Sequence, residues 1–305
     1  MKYIVFDLEW NQPMDGKNSK ERDLLFEILE IGAVKCDEHG TILDSYKQVV
    51  RPTVYHKINK YTAQMIQISD AEFKAGQYFT KAVREFLKWC GDEPYTFVTW
   101  GNQDVFELRE NMNYYKLSLA SGPMEYINLQ RIYGILTGEE ERNKGLEAAI
   151  TELSIEKDIP FHRAYSDAYY TAKILALLPK EMLTEYPSYD VYEPPRTKEE
   201  EIVQKGNKEF LYIYKAQQEK EKASRTPGLY SLYCPKCEGK QIPKKVDWSS
   251  TNTGYTCVAK CRVHGYVTVK IRTRESYKHL YYAEKIIRYI TEEEALKWKE
   301  KKKKS

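Results

Sequence analysis

Residues 2–10 read Lys2-Tyr3-Ile4-Val5-Phe6-Asp7-Leu8-Glu9-Trp10. Ile4, Val5, Phe6 and Leu8 are strand formers in one run, and the stretch reads as a buried β-strand. Two carboxylates, Asp7 and Glu9, interrupt it. Side chains two apart on a strand share a face, so both acids project from one spot at the strand's end. Buried like charges repel and lose hydration, so such a strand needs a compensating cation. A solvated edge strand competes with that reading, because 30% of the chain is charged.

The chain has 305 residues, enough for one sizeable core and a small second module. No run approaches the length of a membrane-spanning helix. The N-terminus enters a strand directly, without the pattern of a signal peptide. The six cysteines are clustered rather than scattered, which points to a reducing cytoplasm and to metal ligation rather than disulfides. Net charge is +3, yet residues 225–305 hold 19 Lys/Arg and 8 Asp/Glu, a balance of 19 − 8 = +11. The other 48 − 19 = 29 basic and 45 − 8 = 37 acidic residues leave −8 on residues 1–224. An acidic body with a basic end suits a polyanionic partner; a solvated tail without a partner is the plainer alternative.

After Trp10, residues 11–18 carry turn chemistry and are expected to form a mobile loop beside the acids. Residues 27–35 and 45–50 read as strands around the turn 38–41, giving a hairpin that continues from the first strand. Residues 57–69 are irregular or short-helical. Residues 75–90 place Phe79, Val83, Phe86 and Leu87 at helical spacing. A further strand spans 95–100, and a helix starts at Asn102, so Asp104 lies in the first turn after a strand end. Functional side chains of open α/β sheets gather there, although an acid stabilising the helix dipole is common too. A weak strand at 126–130 and a helix at 145–153 follow. Residues 160–167 then open a helix running to Pro179, with His162 in the preceding loop and Asp167 in the first turns. Histidine is the side chain that gains and loses a proton near pH 7 without heavy tuning.

D-x-E on a strand, a later acid past another strand end, and H-x4-D entering a last helix resemble the DEDDh family of 3′–5′ exonucleases. These form the proofreading-exonuclease-like (DnaQ-like) branch of the ribonuclease H fold. The matching segments are Phe6–Glu9, Glu27–Val34, Trp100–Asp104 and His162–Ala168, and the resemblance covers residues 1–180. It implies an α/β fold, a ribonuclease H-like mixed sheet flanked by helices. It implies that Asp7, Glu9, Asp104 and Asp167 bind two Mg²⁺ or Mn²⁺ ions and that His162 is the general base. The partner implied is single-stranded RNA or DNA with a free 3′ end, cut to nucleoside 5′-monophosphates. The chemistry agrees, since hard divalent ions take carboxylate oxygens and a metal pair can clamp both the attacking and the departing oxygen. Two departures stand out. Trp10 occupies a position where many relatives carry a small hydroxyl residue. An aromatic there resembles the small-RNA-trimming subgroup, which favours RNA over DNA; Trp10 either stacks on the terminal base or packs in the core. Ser166 stands where a further acid is frequent.

Residues 181–228 read as a linker, with a boundary at Pro194-Pro195 and a charged connecting helix over 202–222. Residues 229–274 resemble a zinc ribbon: Cys234-Pro-Lys-Cys237 is answered by Cys261-Arg-Val-His264, each followed by glycine. Cys234, Cys237, Cys261 and His264 are the expected ligands of one structural Zn²⁺, and Cys257 is a rival for the fourth place through C-x3-C spacing. A module this small would draw its folding energy from the metal. Lys244, Lys245, Trp248, Tyr255, Lys260, Arg262, Tyr266, Lys270, Arg272 and Arg274 set cations beside rings, a single-strand-binding composition; a protein-docking ribbon is the alternative. Residues 275–305 read as a basic helix and tail, and Cys36 and Cys90 as core cysteines. The competing function is a non-catalytic binding or partner-docking protein that retains the exonuclease fold.

Overall fold

The computed structural model describes residues 2–13, 24–55, 57–117, 119, 121–237, 242, 248–251, 254–276 and 279–303. The expected loop beside the acids lies outside them from residue 14 onward, as do Lys244 and Lys245. The chain forms two compact units, Met1–Asp190 and Val191–Ser305.

The first unit contains β1 (Lys2–Asn11), β2 (Glu27–Cys36), β3 (Ile42–Val49), α1 (Lys60–Ile66), α2 (Asp70–Ala75), α3 (Phe79–Cys90), β4 (Tyr95–Thr99) and α4 (Gln103–Tyr114). After these come β5 (Met124–Asn128), α5 (Leu129–Thr137), α6 (Leu146–Glu152), α7 (Ala164–Leu177), α8 (Lys180–Glu185) and β6 (Ser188–Asp190). The sheet order is β3-β2-β1-β4-β5-β6. β1 is inside the sheet, antiparallel to β2 and parallel to β4.

Both faces of β1 are covered, which is why it reads as a nearly continuous apolar run. Tyr3 and Val5 pack with Ile132, Ile150, Ile174 and Leu183 on one side. Ile4, Phe6 and Leu8 pack with Val83, Phe86, Val105 and Leu108 on the other. Each such buried side chain contributes about 1.5–3 kcal/mol. By the alternation of the strand, Asp7 and Glu9 continue the Tyr3–Val5 face, the side covered by α7. The helix expected from residue 75 starts at Phe79, because α2 stops first. Ser69 and Glu72 form a capping box at the start of α2, and Gly76 ends it.

Among its described residues the second unit forms a six-stranded antiparallel sheet of β7 (Ile202–Lys205), β8 (Glu209–Ile213), β9 (Ser249–Thr251), β10 (Gly254–Cys261), β11 (Gly265–Glu275) and β12 (Tyr281–Ile290), with the helices α9 (Lys220–Ser224) and α10 (Glu292–Lys303). Its order is β7-β8-β12-β11-β10-β9.

Two helix expectations fail here. The charged connecting helix over 202–222 is a β-hairpin, β7–β8, with only Lys220–Ser224 helical. The helix expected from 275 to 299 is strand β12 up to Ile290, and helical only from Glu292. Partners distant in sequence override local charge composition in both places. β12 is laddered to β11 from Tyr281 to Ile290 and to β8 through Glu284–Arg288. Val267, Val269 and Ile271 of β11 and Ala283 and Ile287 of β12 bury one face. The segments expected as linker and C-terminal helix therefore supply strands to the same sheet as β10 and β11. Among the described residues, no helix is long and apolar enough to cross a membrane.

Candidate active site and cysteine centre

The carboxyl end of β1 is shaped by its neighbour. Asp7 lies opposite Gly32 and Glu9 opposite Glu30, and the register with β2 then slips between Glu9 and Trp10. A bulge of this kind re-aims side chains at a strand's end. Gly32 is required: a Cβ there would meet the Tyr165 nitrogen at 2.0 Å and the Ala164 carbonyl carbon at 2.1 Å, so the first turn of α7 lies directly on the β2 backbone. Glu30 secures the contact, accepting the Ala164 N–H (3.2 Å) and two bonds from Arg163, from Nε (3.0 Å) and Nη2 (2.8 Å). Through Glu30 and Gly32, β2 holds the start of α7 beside the D-x-E pair.

Asp167, in that first turn, completes a trio. Carboxylate oxygens of Asp7, Glu9 and Asp167 lie within 4.8 Å of one another. Asp104 arrives from the first turn of α4, past the end of β4, and its Oδ1 accepts the Leu8 N–H at 3.1 Å. Asp104 is only 5% exposed.

Burial and mutual repulsion push all four acids upward. Asp7 is held well above the carboxylate range by burial and then by Asp104, Glu9 and Asp167. Glu9 rises to about 8, through burial and then Asp167, Glu30 and Asp104, with Arg163 opposing. Asp104 rises to about 7, mainly through burial, although the Leu8 amide works against the shift. Asp167 rises to about 6, again through burial, with the His162 amide and ring opposing. Such a group cannot carry its full negative charge at neutral pH without a cation, and its all-oxygen donor set suits hard divalent ions.

His162 is exposed and lies one residue before the N-cap of α7; its backbone has φ = 66°, and its N–H points to Asp167 Oδ1 at 3.4 Å. A non-glycine residue in the left-handed region is uncommon and tends to cluster at functional sites. Trp10 is half-buried, its ring 5.9 Å from that of Phe26 and packed against the Phe6–Phe86 core. The residues that sequence reading missed are Glu30, Gly32 and Arg163. A signal was present, because Glu27 and Glu30 interrupt an otherwise apolar strand, and buried acids are rare unless paired. Glu27 proves to accept the Val54 and Tyr55 amides, each at 2.8 Å, which fixes the loop after β3.

In the second unit, Cys234, Cys237, Cys261 and His264 converge. His264 Nδ1 lies 3.4, 3.1 and 3.9 Å from the sulfurs of Cys234, Cys237 and Cys261, and the Cys237 and Cys261 sulfurs are 3.6 Å apart. Zinc–sulfur and zinc–nitrogen bonds of about 2.3 and 2.05 Å give a tetrahedron with edges of roughly 3.8 Å (S–S) and 3.5 Å (S–N). The four side chains are thus spaced for one zinc ion. Cys257 stands apart, fully buried in the apolar cluster with Val269 and Ile287.

Residues 4–175 match the model of the RNase T exonuclease family, and the chain belongs to that family. It is a 3′–5′ exonuclease acting on nucleic acid. The DEDDh resemblance and the ribonuclease H-like α/β fold expected from the sequence both hold. Among curated proteins, the probable 3′–5′ exonuclease KapD of Bacillus subtilis (strain 168) is 26% identical over 176 residues, covering 57% of this chain and 83% of KapD. Among solved structures, the nuclease domain of 3′hExo, a DEDDh family member bound to rAMP, superposes with a TM-score of 0.51 at 19% identity, over 58% of this chain and 90% of that one. A 3′-exonuclease recognising the histone mRNA stem-loop gives 0.50 at 20% identity, over 58% and 80%.

Proposed function

We propose that the first unit removes nucleotides from the 3′ end of single-stranded nucleic acid, RNA in preference to DNA, releasing nucleoside 5′-monophosphates. The observation that carries this is the meeting of Asp7, Glu9 and Asp167, whose carboxylate oxygens lie within 4.8 Å of one another, with Asp104, whose Oδ1 accepts the N–H of Leu8 between the first two acids. These four would hold a pair of Mg²⁺ or Mn²⁺ ions, which supply charge stabilisation to the attacking and departing oxygens. His162 takes the proton of the attacking water on a ring nitrogen; its exposure leaves the ring open to solvent and substrate. General-base assistance of this kind contributes about 100–10,000-fold. Trp10 follows Glu9 in the chain and is half-buried, and its uncovered part would stack on the terminal base. The preference for RNA rests on the subgroup resemblance at Trp10; it is supported by one solved relative that binds rAMP and another that recognises an mRNA stem-loop.

Cys234, Cys237, Cys261 and His264 would hold one structural Zn²⁺, and the basic second unit would help hold single-stranded nucleic acid. Cysteines given to a metal rather than to disulfides fit a reducing cytoplasm. The test is degradation of matched, labelled RNA and DNA single strands with titrated Mg²⁺ or Mn²⁺, with Asp7→Ala alongside. The expected result is 3′-end trimming by the unaltered chain only, with 5′-monophosphate products and faster loss of RNA. Equal trimming by Asp7→Ala would refute the assignment of the four acids.

A further inference from the structure

The four cysteine-centre ligands come from the knuckle 234–237 and the hairpin β10–β11, yet a residue of β12 reaches the same group. The Tyr289 hydroxyl lies 2.9 Å from Cys234 Sγ and accepts the Lys236 N–H at 3.3 Å. Lys236 Nζ sits 4.4 Å from the centroid of the Tyr289 ring. Four residues earlier, and so on the same face of β12, Lys285 is fully buried. Its Nζ donates to the carbonyls of Gly228 (3.1 Å) and Ser231 (2.5 Å). One strand face therefore clips the chain at 228–231 and again at 234–236.

We propose that Tyr289 is a positioning residue of the metal centre: its hydroxyl donates to the Cys234 thiolate while the Lys236 amide donates to it, so β12 sets the thiolate's orientation and charge. This rests on the reading of Cys234, Cys237, Cys261 and His264 as a zinc site. A metal-bound thiolate only accepts hydrogen bonds, which fixes the phenol as donor. The amide bond to the phenol oxygen polarises the O–H and strengthens that donation. Groups that orient and charge-balance metal ligands in this way are worth about 10–100-fold in metal affinity. Lys285, by holding the chain that leads into the knuckle, limits where Cys234 can move. The zinc site thereby extends to the strand that local sequence reads as helix, well outside the C-x2-C and C-x2-H pairs.

The experiment uses the full chain, with zinc affinity measured by competition against a chromogenic chelator and with Co²⁺ as a spectroscopic substitute. Tyr289→Phe removes one oxygen and keeps the ring that packs against Phe210. The expected result is one zinc per chain for both proteins, with affinity about 10–100-fold weaker in Tyr289→Phe. The thiolate-to-cobalt charge-transfer band should move to longer wavelength while the tetrahedral ligand-field bands stay in place. If the unaltered chain takes up no zinc, the metal-site reading falls and this inference with it. If it binds zinc and Tyr289→Phe matches it in affinity and band position, only the role of Tyr289 falls. Should Tyr289→Phe fail to fold, 3-fluorotyrosine is incorporated into the unaltered sequence instead. Its more acidic phenol donates more strongly, so the band should shift to shorter wavelength, and an unmoved band would overturn the proposal.

Discussion

Replacing Arg163 with alanine removes the partner of a carboxylate that has almost no access to water. The Glu30 side chain is 3% exposed, whereas Arg163 is 33% exposed. Breaking a fully buried pair from one side costs about 3–5 kcal/mol, because the remaining charge is uncompensated. Partial exposure of Arg163 screens the pair, so about 2 kcal/mol is the expected loss. The repulsion on Glu9 should also grow, since Arg163 at present opposes it. Activity should suffer more than substrate binding, because the same contact fixes α7 and with it His162 and Asp167. A misplacement on the order of 1 Å can cost about 100-fold in rate. The assay is a double-mutant cycle of Arg163→Ala, Glu30→Gln and the pair, read by urea unfolding and by kcat and KM on a short single strand. Arg163→Ala alone should be the worst of the three in stability, with kcat about 100-fold down and KM little changed. Adding Glu30→Gln should restore part of the lost stability, because no buried charge is then left unpaired. Additivity within about 0.5 kcal/mol, or a loss confined to KM, would refute the view that this pair latches α7 over the acids.

Gly32→Ala should lower the melting temperature and kcat together, since its Cβ would fall 2.0 Å from the Tyr165 nitrogen; unchanged thermal melting and turnover would contradict the close packing. The metal-free chain should lose stability as pH rises. Asp7, Glu9, Asp104 and Asp167 keep their protons in the folded state above the pH at which the unfolded chain releases them. Stability is therefore greatest below about pH 4 for these groups and declines up to the folded value of about 8 for Glu9. Scanning fluorimetry in chelator between pH 5 and 8 should show that decline, and Mg²⁺ or Mn²⁺ should reverse it. His162→Ala should lower kcat by about 100–10,000-fold while metal affinity, measured by calorimetry, stays within about twofold. Truncation after Glu275 removes β12 from between β11 and β8; the truncated chain should lose zinc and the folded signal of the second unit in circular dichroism.

Much of the active site was legible in the chain itself. Alternation along residues 2–10 fixed the shared face of Asp7 and Glu9, and the strand-exit position of Asp104 and the helix-entry positions of His162 and Asp167 followed from local pattern. The Cys-x2-Cys and Cys-x2-His spacings likewise named the four side chains that converge, leaving Cys257 as a rival. What remained hidden depended on partners distant in sequence. Glu30 read as one acid in an apolar strand until Arg163, 133 residues away, was found against it. Cys257 and His264 were separable only once the sheet had turned one thiol into the apolar core and the imidazole toward the three sulfurs. Residues 281–290 carry enough charge to pass for a helix, and only the ladders to β11 and β8 make them a strand. Sequence alone settles what adjacent residues can do, since side-chain period and steric preference act over a few positions. The pairing of remote segments is decided by the whole chain's burial and hydrogen bonding, and only the folded structure displays it.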